Sequence, residues 1–364
     1  MFRNVLLIPF IISALSLSFI SYSNTEKTVY SHGVILQYHH VNTTTPSVTS
    51  ISPELFEQHL KLIKDEGFLV LPLDLLIQSI RLGIPFKQKV LSITFDDNYQ
   101  SIYDNAFPLL KKRHWPFTIF VNPKTILNET NNNHLNLSWD QLKDMESNGA
   151  TIANHTQNHF HLLARLENES EQNWKIRIIN DIQSAQEELN THIKNPPSWL
   201  AYPYGEFNED LKMLVNEIDF LGFSQQSGGI NHTTNWQAIP RFPASGIYAN
   251  LETLKLKMNS RPFEVLSENP INKIRYEGEK APILELIVNK KDIRHQQLSC
   301  YFSGKKIYSE VIEHKDTLTI YAQLEGELPF GRSRYNCTAP AINGGYFWYS
   351  MPFVSTNDQG DFQD

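Results

Sequence analysis

Hydrophobic and polar positions follow two different patterns along this chain, and the change comes near residue 270. Between residues 33 and 258, short apolar runs alternate with stretches in which apolar residues recur at helical spacing. The strand-like runs are GVILQY, FLVLPL, KVLSITF, PFTIFVN, ATIANH, SWLAYP, FLGFSQ and AIPRFP. The helical stretches are PELFEQHLKLIKDEG, IYDNAFPLLKKRH, WDQLKDMESNG, KIRIINDIQSAQEELNTHI and EDLKMLVNEI. This alternation predicts an α/β fold of parallel strands closed, or nearly closed, into a β/α barrel, with an open doubly wound sheet as the alternative.

Beyond residue 270 the pattern changes to short alternating strands separated by turn residues. The segments are ILELIV, LSCYFS, LTIYAQL, SRYNCT and GYFWYSMPFV, which together favour a small all-β sandwich. With 364 residues, 41% of them hydrophobic, the chain can bury two cores. We therefore predict a barrel domain over 24–268 and a sandwich-like domain over 269–364.

The first residues are typical of a secretory signal peptide. Arg3 precedes an apolar stretch from Val5 to Ile20, which is followed by small and polar residues. The stretch is short for a membrane span and contains Pro9, although an N-terminal membrane anchor is the alternative. We predict a signal peptide over 1–23 and a protein exported to a periplasm, a cell surface or the medium.

Charge limits the possible partners. The net charge is −7, and no run of Lys or Arg is long enough to form a basic stripe. Binding to a phosphate backbone therefore has no electrostatic support, and nucleic acid is not an expected partner. Association with the cell envelope is compatible with export, and the sequence does not indicate an oligomeric state.

Two cysteines, Cys300 and Cys337, both lie in strand-like segments near the C-terminus. In an exported protein such a pair favours a disulfide. Two unpaired buried thiols are the alternative.

Residues that bind metal or transfer protons follow several of the predicted barrel strands. In a β/α barrel the carboxyl ends of the strands meet on one face, where catalytic groups gather. Four strand-like runs end in such residues: Asp96 and Asp97, His39 and His40, His155 with His159, and Tyr204.

The segment His155-Thr-Gln-Asn-His159 has a spacing that brings two imidazoles to one side of a helical turn, where a carboxylate could complete a metal site. On an extended strand Asp96 and Asp97 point to opposite sides, so one can bind the metal while the other acts as a base. The alternative is a turn in which Asp97 or Asn98 caps the next helix.

The chain resembles the polysaccharide deacetylases with a NodB homology domain, also called carbohydrate esterase family 4. The matching segments are TFDDNY at 94–99, NHTQNHFHL at 154–162 and AYPYGEFN at 201–208, in the family's order. The resemblance spans roughly residues 33–258 and implies a distorted β/α barrel. It also implies that Asp96 is the general base, and that Asp97, His155 and His159 bind a divalent metal, usually Zn²⁺, with Co²⁺ or Ni²⁺ possible.

Three further assignments follow from the resemblance. Tyr204 matches the residue whose backbone N–H helps to bind the oxyanion. The family's usual motif arginine is replaced by Ala201, so Arg241 either supplies that charge or is an ordinary surface residue at the barrel rim. ILQYHHV resembles the poly-β-1,6-N-acetylglucosamine deacetylases, in which an N-terminal Tyr-His supplies the general acid. His39 fits that position better than His40.

The sequence therefore predicts a metal-dependent hydrolase that removes N-acetyl groups from a β-linked N-acetylglucosamine polysaccharide and releases acetate. Poly-β-1,6-N-acetylglucosamine, a biofilm exopolysaccharide, is the expected substrate. The alternatives are deacetylation of peptidoglycan, chitin oligomers or another acylated glycan, and a glycan-binding protein without catalytic activity on a decayed deacetylase barrel.

Overall fold

A computed structural model describes residues 29–126, 135–269 and 274–363. The predicted signal peptide over 1–23 lies outside the described residues and stays a prediction. The helices are α1 Pro53–Asp65, α2 Leu73–Arg81, α3 Phe107–Arg113, α4 Trp139–Ser147, α5 Glu171–His192, α6 Glu209–Glu217 and α7 Leu251–Met258. A π-helical segment, Ile102–Ala106, leads into α3, and short 3₁₀ turns are Pro123–Thr125, Pro203–Gly205, Gly246–Tyr248 and His295–Gln297. Within these described ranges, no helix has the length and apolar character needed to cross a membrane.

The strands belong mainly to one large sheet and two smaller ones. The first half of the chain contains β1 Gly33–Tyr38, β2 His40–Val41, β3 Ser50–Ile51, β4 Leu69–Val70, β5 Val90–Asp96, β6 Phe117–Val121, β7 Ala150–Asn154, β8 Trp199–Ala201, β9 Leu221–Phe223, β10 Gly229–Ile230 and β11 Phe242–Pro243. The second half contains β12 Ser260–Pro262, β13 Val265–Asn269, β14 Ile274–Tyr276, β15 Leu284–Asn289, β16 Ser299–Phe302, β17 Lys305–Lys306, β18 Tyr308–Glu313, β19 Thr317–Gln323, β20 Gly331–Pro340 and β21 Tyr346–Thr356.

The large sheet is a curled, almost entirely parallel barrel wall. Its strands run in the order β10-β1-β5-β6-β7-β8-β9, and only β10 is antiparallel to its neighbour. Strands β1, β5 and β6 are buried along their whole length, as expected of strands covered on both faces. The register places the last residues of neighbouring strands side by side, so that one edge of the sheet gathers the side chains that follow them.

An irregular segment spans the gap between the two ends of this sheet. Ile239 exchanges backbone hydrogen bonds with Gly222 and Ser224, which belong to or follow β9. Three residues later, Phe242 pairs with Leu36 of β1. The first and last strands are thereby joined, so the predicted distorted barrel is confirmed and the open doubly wound sheet is wrong.

Sequence periodicity located many barrel elements, but α2 and α7 were not among the predicted helices, and AIPRFP is a strand only at Phe242–Pro243. The run FLVLPL at 68–73 is a strand only at Leu69–Val70. Pro72 lies after this strand and directly before α2. The apolar residues of α2 recur at helical spacing and are buried in the core: Leu73, Leu76, Ile77 and Ile80. Proline cannot donate a backbone hydrogen bond to a neighbouring strand, and it is well suited to precede a helix.

The C-terminal strands form the two sheets of the predicted sandwich. One sheet has the order β12-β21-β20-β16-β17, with β14 also paired to β21, and the other has the order β13-β15-β19-β18. Alternate residues of β15, such as Leu284, Leu286 and Val288, point into the shared core. The pairing of β12 and β13 with later strands starts before the predicted boundary at 268, and the division into 24–268 and 269–364 stays a proposal.

The two cysteines confirm the predicted disulfide. Cys300 of β16 and Cys337 of β20 are directly opposite each other in the antiparallel pair, and their sulfurs are bonded. Both residues are fully buried, so the bond joins neighbouring strands from within the sandwich core. The alternative of two free thiols is therefore wrong.

Candidate active site and metal centre

A buried ion pair occupies the carboxyl end of β5. Asp96 is the last residue of this strand, and Arg241 holds its carboxylate with two parallel bonds, from one terminal nitrogen to Oδ1 at 2.5 Å and from the other to Oδ2 at 2.7 Å. Neither side chain is exposed. Arg241 also donates from Nε to the carbonyl of Ser224, which fixes the plane of the guanidinium. The alternative of a surface arginine at the barrel rim is therefore wrong.

The pair determines the charge of the carboxylate. Burial by itself raises the pKa of Asp96, but the charge and hydrogen bonds of Arg241 outweigh burial and hold this pKa well below its usual range. Because the pKa in the folded protein is lowered, the pair stabilises the fold above the ordinary aspartate pKa. That stability is lost only as the pH falls through the lowered value.

We expect Arg241→Met to lower the free energy of unfolding by about 3 to 5 kcal/mol, because it leaves the buried Asp96 charge without its partner. Chemical denaturation at pH 7 measures this loss. The matched control is the double variant Asp96→Asn/Arg241→Met, which removes both charges and should be more stable than Arg241→Met alone. Equal stability of the single and double variants would contradict the coupling.

Asp97, His155 and His159 form a cluster with the geometry of a metal site. The Nε2 atoms of both histidines lie 3.5 Å from Oδ1 of Asp97. One ligand atom from each residue can be chosen such that all three lie within 4.8 Å of one another. Two ligands bound tetrahedrally to one zinc ion at about 2.1 Å would lie roughly 3.4 Å apart, which is close to both distances from the histidines to Asp97.

The ring orientation of His155 supports the same reading. Its Nδ1 lies 2.8 Å from the carbonyl oxygen of Ala201, which can only accept a hydrogen bond. Nδ1 therefore carries the proton, and the lone pair of Nε2 faces Asp97. The backbone carbonyl of Ala201 thus fixes the orientation of the His155 ring.

The local backbone differs from the sequence-based prediction in two ways. Residues 155–159 do not form a helical turn but a loop in which Thr156 and His159 adopt left-handed conformations.

Asp97 does not continue the strand, because its φ of 62° turns the chain away from the sheet. Aspartate tolerates this conformation better than most residues. The side chains of Asp96 and Asp97 diverge because the strand ends between them. Neither Asp97 nor Asn98 caps a following helix: Asn98 instead accepts a bond from the backbone of Asn122.

His39 and His40 follow β1 and point in different directions. His39 Nε2 lies 4.0 Å from Oδ2 of Asp96, and its side chain is 17% exposed. The ring of His40 is instead stacked on Tyr99, with the ring centres 3.5 Å apart. Of the two histidines, His39 faces the buried carboxylate.

Tyr204 lies beside the cluster of Asp97, His155 and His159. It occupies the 3₁₀ turn Pro203–Gly205 after β8, with a φ of 58°. Its ring meets that of His159 edge to face, with the centres 4.8 Å apart. The structure therefore brings the end of β8 against the same cluster as the ends of β5 and β7.

Sequence reasoning missed one residue in this group, Gln37. Its side-chain amide donates to Oδ2 of Asp96 at 2.6 Å, and the residue is buried. Gln37 is the penultimate residue of β1 and His39 follows the strand, and the side chains of both face Oδ2 of Asp96. A polar residue in the otherwise apolar run GVILQY was the available signal.

Comparisons with known proteins agree with this geometry. Residues 83–223 match the family model for polysaccharide deacetylase. A poly-β-1,6-N-acetyl-D-glucosamine N-deacetylase of Staphylococcus aureus strain MRSA252 is 28% identical over 194 residues, which cover 53% of this chain and 67% of that protein.

Two solved structures share the fold. The Streptococcus pyogenes deacetylase PplD in complex with acetate has a TM-score of 0.54 and 26% identity, and the match covers 62% of this chain and 98% of that one. IcaB from Ammonifex degensii has a TM-score of 0.53 and 22% identity over 62% of this chain and 96% of its own. Residues 83–223 therefore match the polysaccharide deacetylase family, the same family that the sequence motifs resemble.

Proposed function

We propose that this protein is a metal-dependent N-deacetylase that hydrolyses the N-acetyl groups of a β-1,6-linked N-acetylglucosamine polymer and releases acetate. The observation that carries the proposal is the adjacency of two different carboxylates. Asp97 lies in a cluster suited to a divalent ion, whereas its neighbour Asp96 is buried and held ionised by Arg241. Metal-assisted hydrolysis of an amide uses a Lewis acid together with a base, and the end of β5 provides a position for each.

Asp97, His155 and His159 would hold the metal ion, with Zn²⁺ proposed and Co²⁺ or Ni²⁺ as alternatives. When bound, a divalent ion polarises a carbonyl group and lowers the pKa of water. Three protein ligands leave further positions open to water and substrate, as in catalytic rather than structural zinc sites.

Asp96 is the proposed general base. Among the described residues, Arg241 bonds to both carboxylate oxygens, and Gln37 adds a second bond to Oδ2. Oδ1 therefore retains more acceptor capacity and is the atom we assign to accept the proton of the attacking water. Arg241 keeps the carboxylate ionised, while the strong bonds fix its position.

His39 and Tyr204 complete the proposed reaction. The backbone N–H of Tyr204 stabilises the oxyanion that forms as water attacks the acetyl carbonyl. His39 then donates a proton to the sugar nitrogen as the carbon–nitrogen bond breaks, which yields acetate and a free amine. After turnover Asp96 loses the proton that it took from water and His39 regains the proton that it donated, so both groups return to their starting states.

The choice of polymer is supported by the name of the Staphylococcus aureus relative and by the ILQYHHV segment. Acetate release from β-1,6-linked and β-1,4-linked N-acetylglucosamine oligomers of equal length tests it. We expect faster release from the β-1,6 series. Release from the β-1,4 series alone would assign a chitin-like or peptidoglycan-like substrate instead, and no release from either would remove the N-deacetylase proposal.

A further inference from the structure

The C-terminal β sandwich reaches the turn that contains Tyr204. Arg332 of β20 donates to Oε1 of Glu206 at 2.9 Å and to the backbone carbonyl of Gln363 at 2.7 Å. Its guanidinium carbon lies 5.3 Å from the centre of the Tyr204 ring. A residue more than 120 positions away in sequence thus contacts both Glu206 and Tyr204.

Glu206 links Arg332 to His161, which packs on the other side of the turn. Its side chain is buried, and Oε2 lies 2.8 Å from Nδ1 of His161. The His161 ring is stacked on Tyr204 with the centres 4.0 Å apart, and Phe362 from the C-terminal segment packs on His161 at 5.1 Å. Tyr204 is therefore in contact with the metal-cluster residue His159, with His161 and with Arg332.

The turn holds two consecutive residues in an uncommon backbone conformation. Tyr204 and Gly205 adopt left-handed conformations, with φ values of 58° and 71°. A bulky side chain such as that of Tyr204 rarely adopts this conformation, which persists only where the surroundings impose it. Within the turn, the N–H groups of Gly205 and Glu206 donate to Tyr202 and Pro203 at 2.9 and 3.2 Å.

We infer that Arg332 is a positioning residue through which the C-terminal β sandwich holds the Tyr204 turn, by way of Glu206 and His161, in the conformation that the reaction uses. The effect on turnover rests on the proposed function, whereas the effect on the turn rests on the contacts alone. Without Arg332, the buried Glu206 carboxylate loses its guanidinium partner and keeps the contact with His161, and loss of the guanidinium favours movement of the carboxylate toward solvent. Such a movement pulls Glu206 away from His161 and releases the turn.

Hydrogen exchange of the intact chain tests this inference directly. In Arg332→Met, we expect the amides of Gly205 and Glu206 to exchange at least about tenfold faster than in the wild type, while those of β6 are unchanged. We also expect kcat for acetate release to fall about tenfold with KM within twofold, since the turn contributes to the oxyanion rather than to binding. Arg332→Lys, which keeps the charge beside Glu206, should restore most of both properties.

Two further variants distinguish this role from a general loss of folded structure. Arg294→Met removes an arginine that donates to Ile342 within the sandwich, and it should leave turn exchange and kcat unchanged. If Arg332→Met fails to fold, Glu206→Gln must still accelerate exchange at the turn by at least threefold. Unchanged exchange at the turn, or faster exchange with unchanged kcat, overturns the inference. A wild-type protein that releases no acetate defeats the proposed function instead, and turn exchange then decides this inference by itself.

Discussion

We expect Asp96→Asn to lower kcat for acetate release by at least about 100-fold, the lower end of what a general base contributes. Asparagine has nearly the shape of aspartate, but its amide cannot accept a proton from water at neutral pH. Arg241 holds the pKa of Asp96 well below its usual range, since its charge and hydrogen bonds outweigh the effect of burial. The wild-type carboxylate is therefore ionised throughout the neutral and mildly acidic range, and titration of Asp96 does not limit activity there.

The adjacent aspartate provides the control. Asp97→Asn changes the same chemical group one residue away, but in the metal-binding cluster rather than in the ion pair. We expect Asp96→Asn to bind one equivalent of metal with almost normal affinity, and Asp97→Asn to bind it much more weakly. If Asp96→Asn retained more than about a tenth of the wild-type kcat, Asp96 would not be the base.

His39→Ala should lower kcat by roughly 100-fold, because the amine is a poor leaving group unless it is protonated as the bond breaks. His39 faces Asp96 at 4.0 Å and is partly exposed, so it can exchange its proton with solvent between turnovers. Steady-state kinetics on the N-acetylglucosamine oligomers measure the loss. A substrate with a better leaving group, such as an aryl acetate, should be much less sensitive to the substitution.

His40→Phe is the matched control for His39→Ala. Phenylalanine retains the stack on Tyr99 and removes Nδ1, which is buried and has no hydrogen-bond partner among the described residues. We expect kcat within about threefold of the wild type. Normal activity in His39→Ala, or a large loss in His40→Phe, would transfer the acid role away from His39.

Local sequence pattern located the strands of the barrel well because burial on both faces gives them continuous apolar runs. GVILQY coincides with β1, and the boundaries of β5, β6 and β7 differ from the predicted runs by one or two residues. Since the parallel strands end at one edge, the approximate location of the site followed from these runs alone.

The contacts of the site depended on information that a local pattern lacks. Arg241 is 145 residues from Asp96, and the sequence left open whether it was a surface residue. Its position depends on the segment that joins β9 to β1, in which the predicted run AIPRFP forms a strand only at Phe242–Pro243. The prediction of a helical turn for residues 155–159 was wrong for a related reason: the left-handed residues that shape this loop, Thr156 and His159, are not types that signal such a turn.

The contacts between the two halves of the chain were also beyond the sequence analysis. Arg332 lies on a strand of the sandwich, and nothing in its neighbours marks it as a partner of Glu206. The motif AYPYGEFN identified the turn but gave no reason to single out Glu206. Such pairs become visible only when the barrel and the sandwich are packed together.

Metal-dependent turnover tests the central claim most directly. The protein is stripped of metal with a chelator, and acetate release from a β-1,6-linked N-acetylglucosamine oligomer is measured as Zn²⁺, Co²⁺ or Ni²⁺ is added back. We expect activity to be lost on stripping and to recover with saturation at one equivalent of metal in the wild type but not in Asp97→Asn. Undiminished acetate release by the metal-free protein would contradict it.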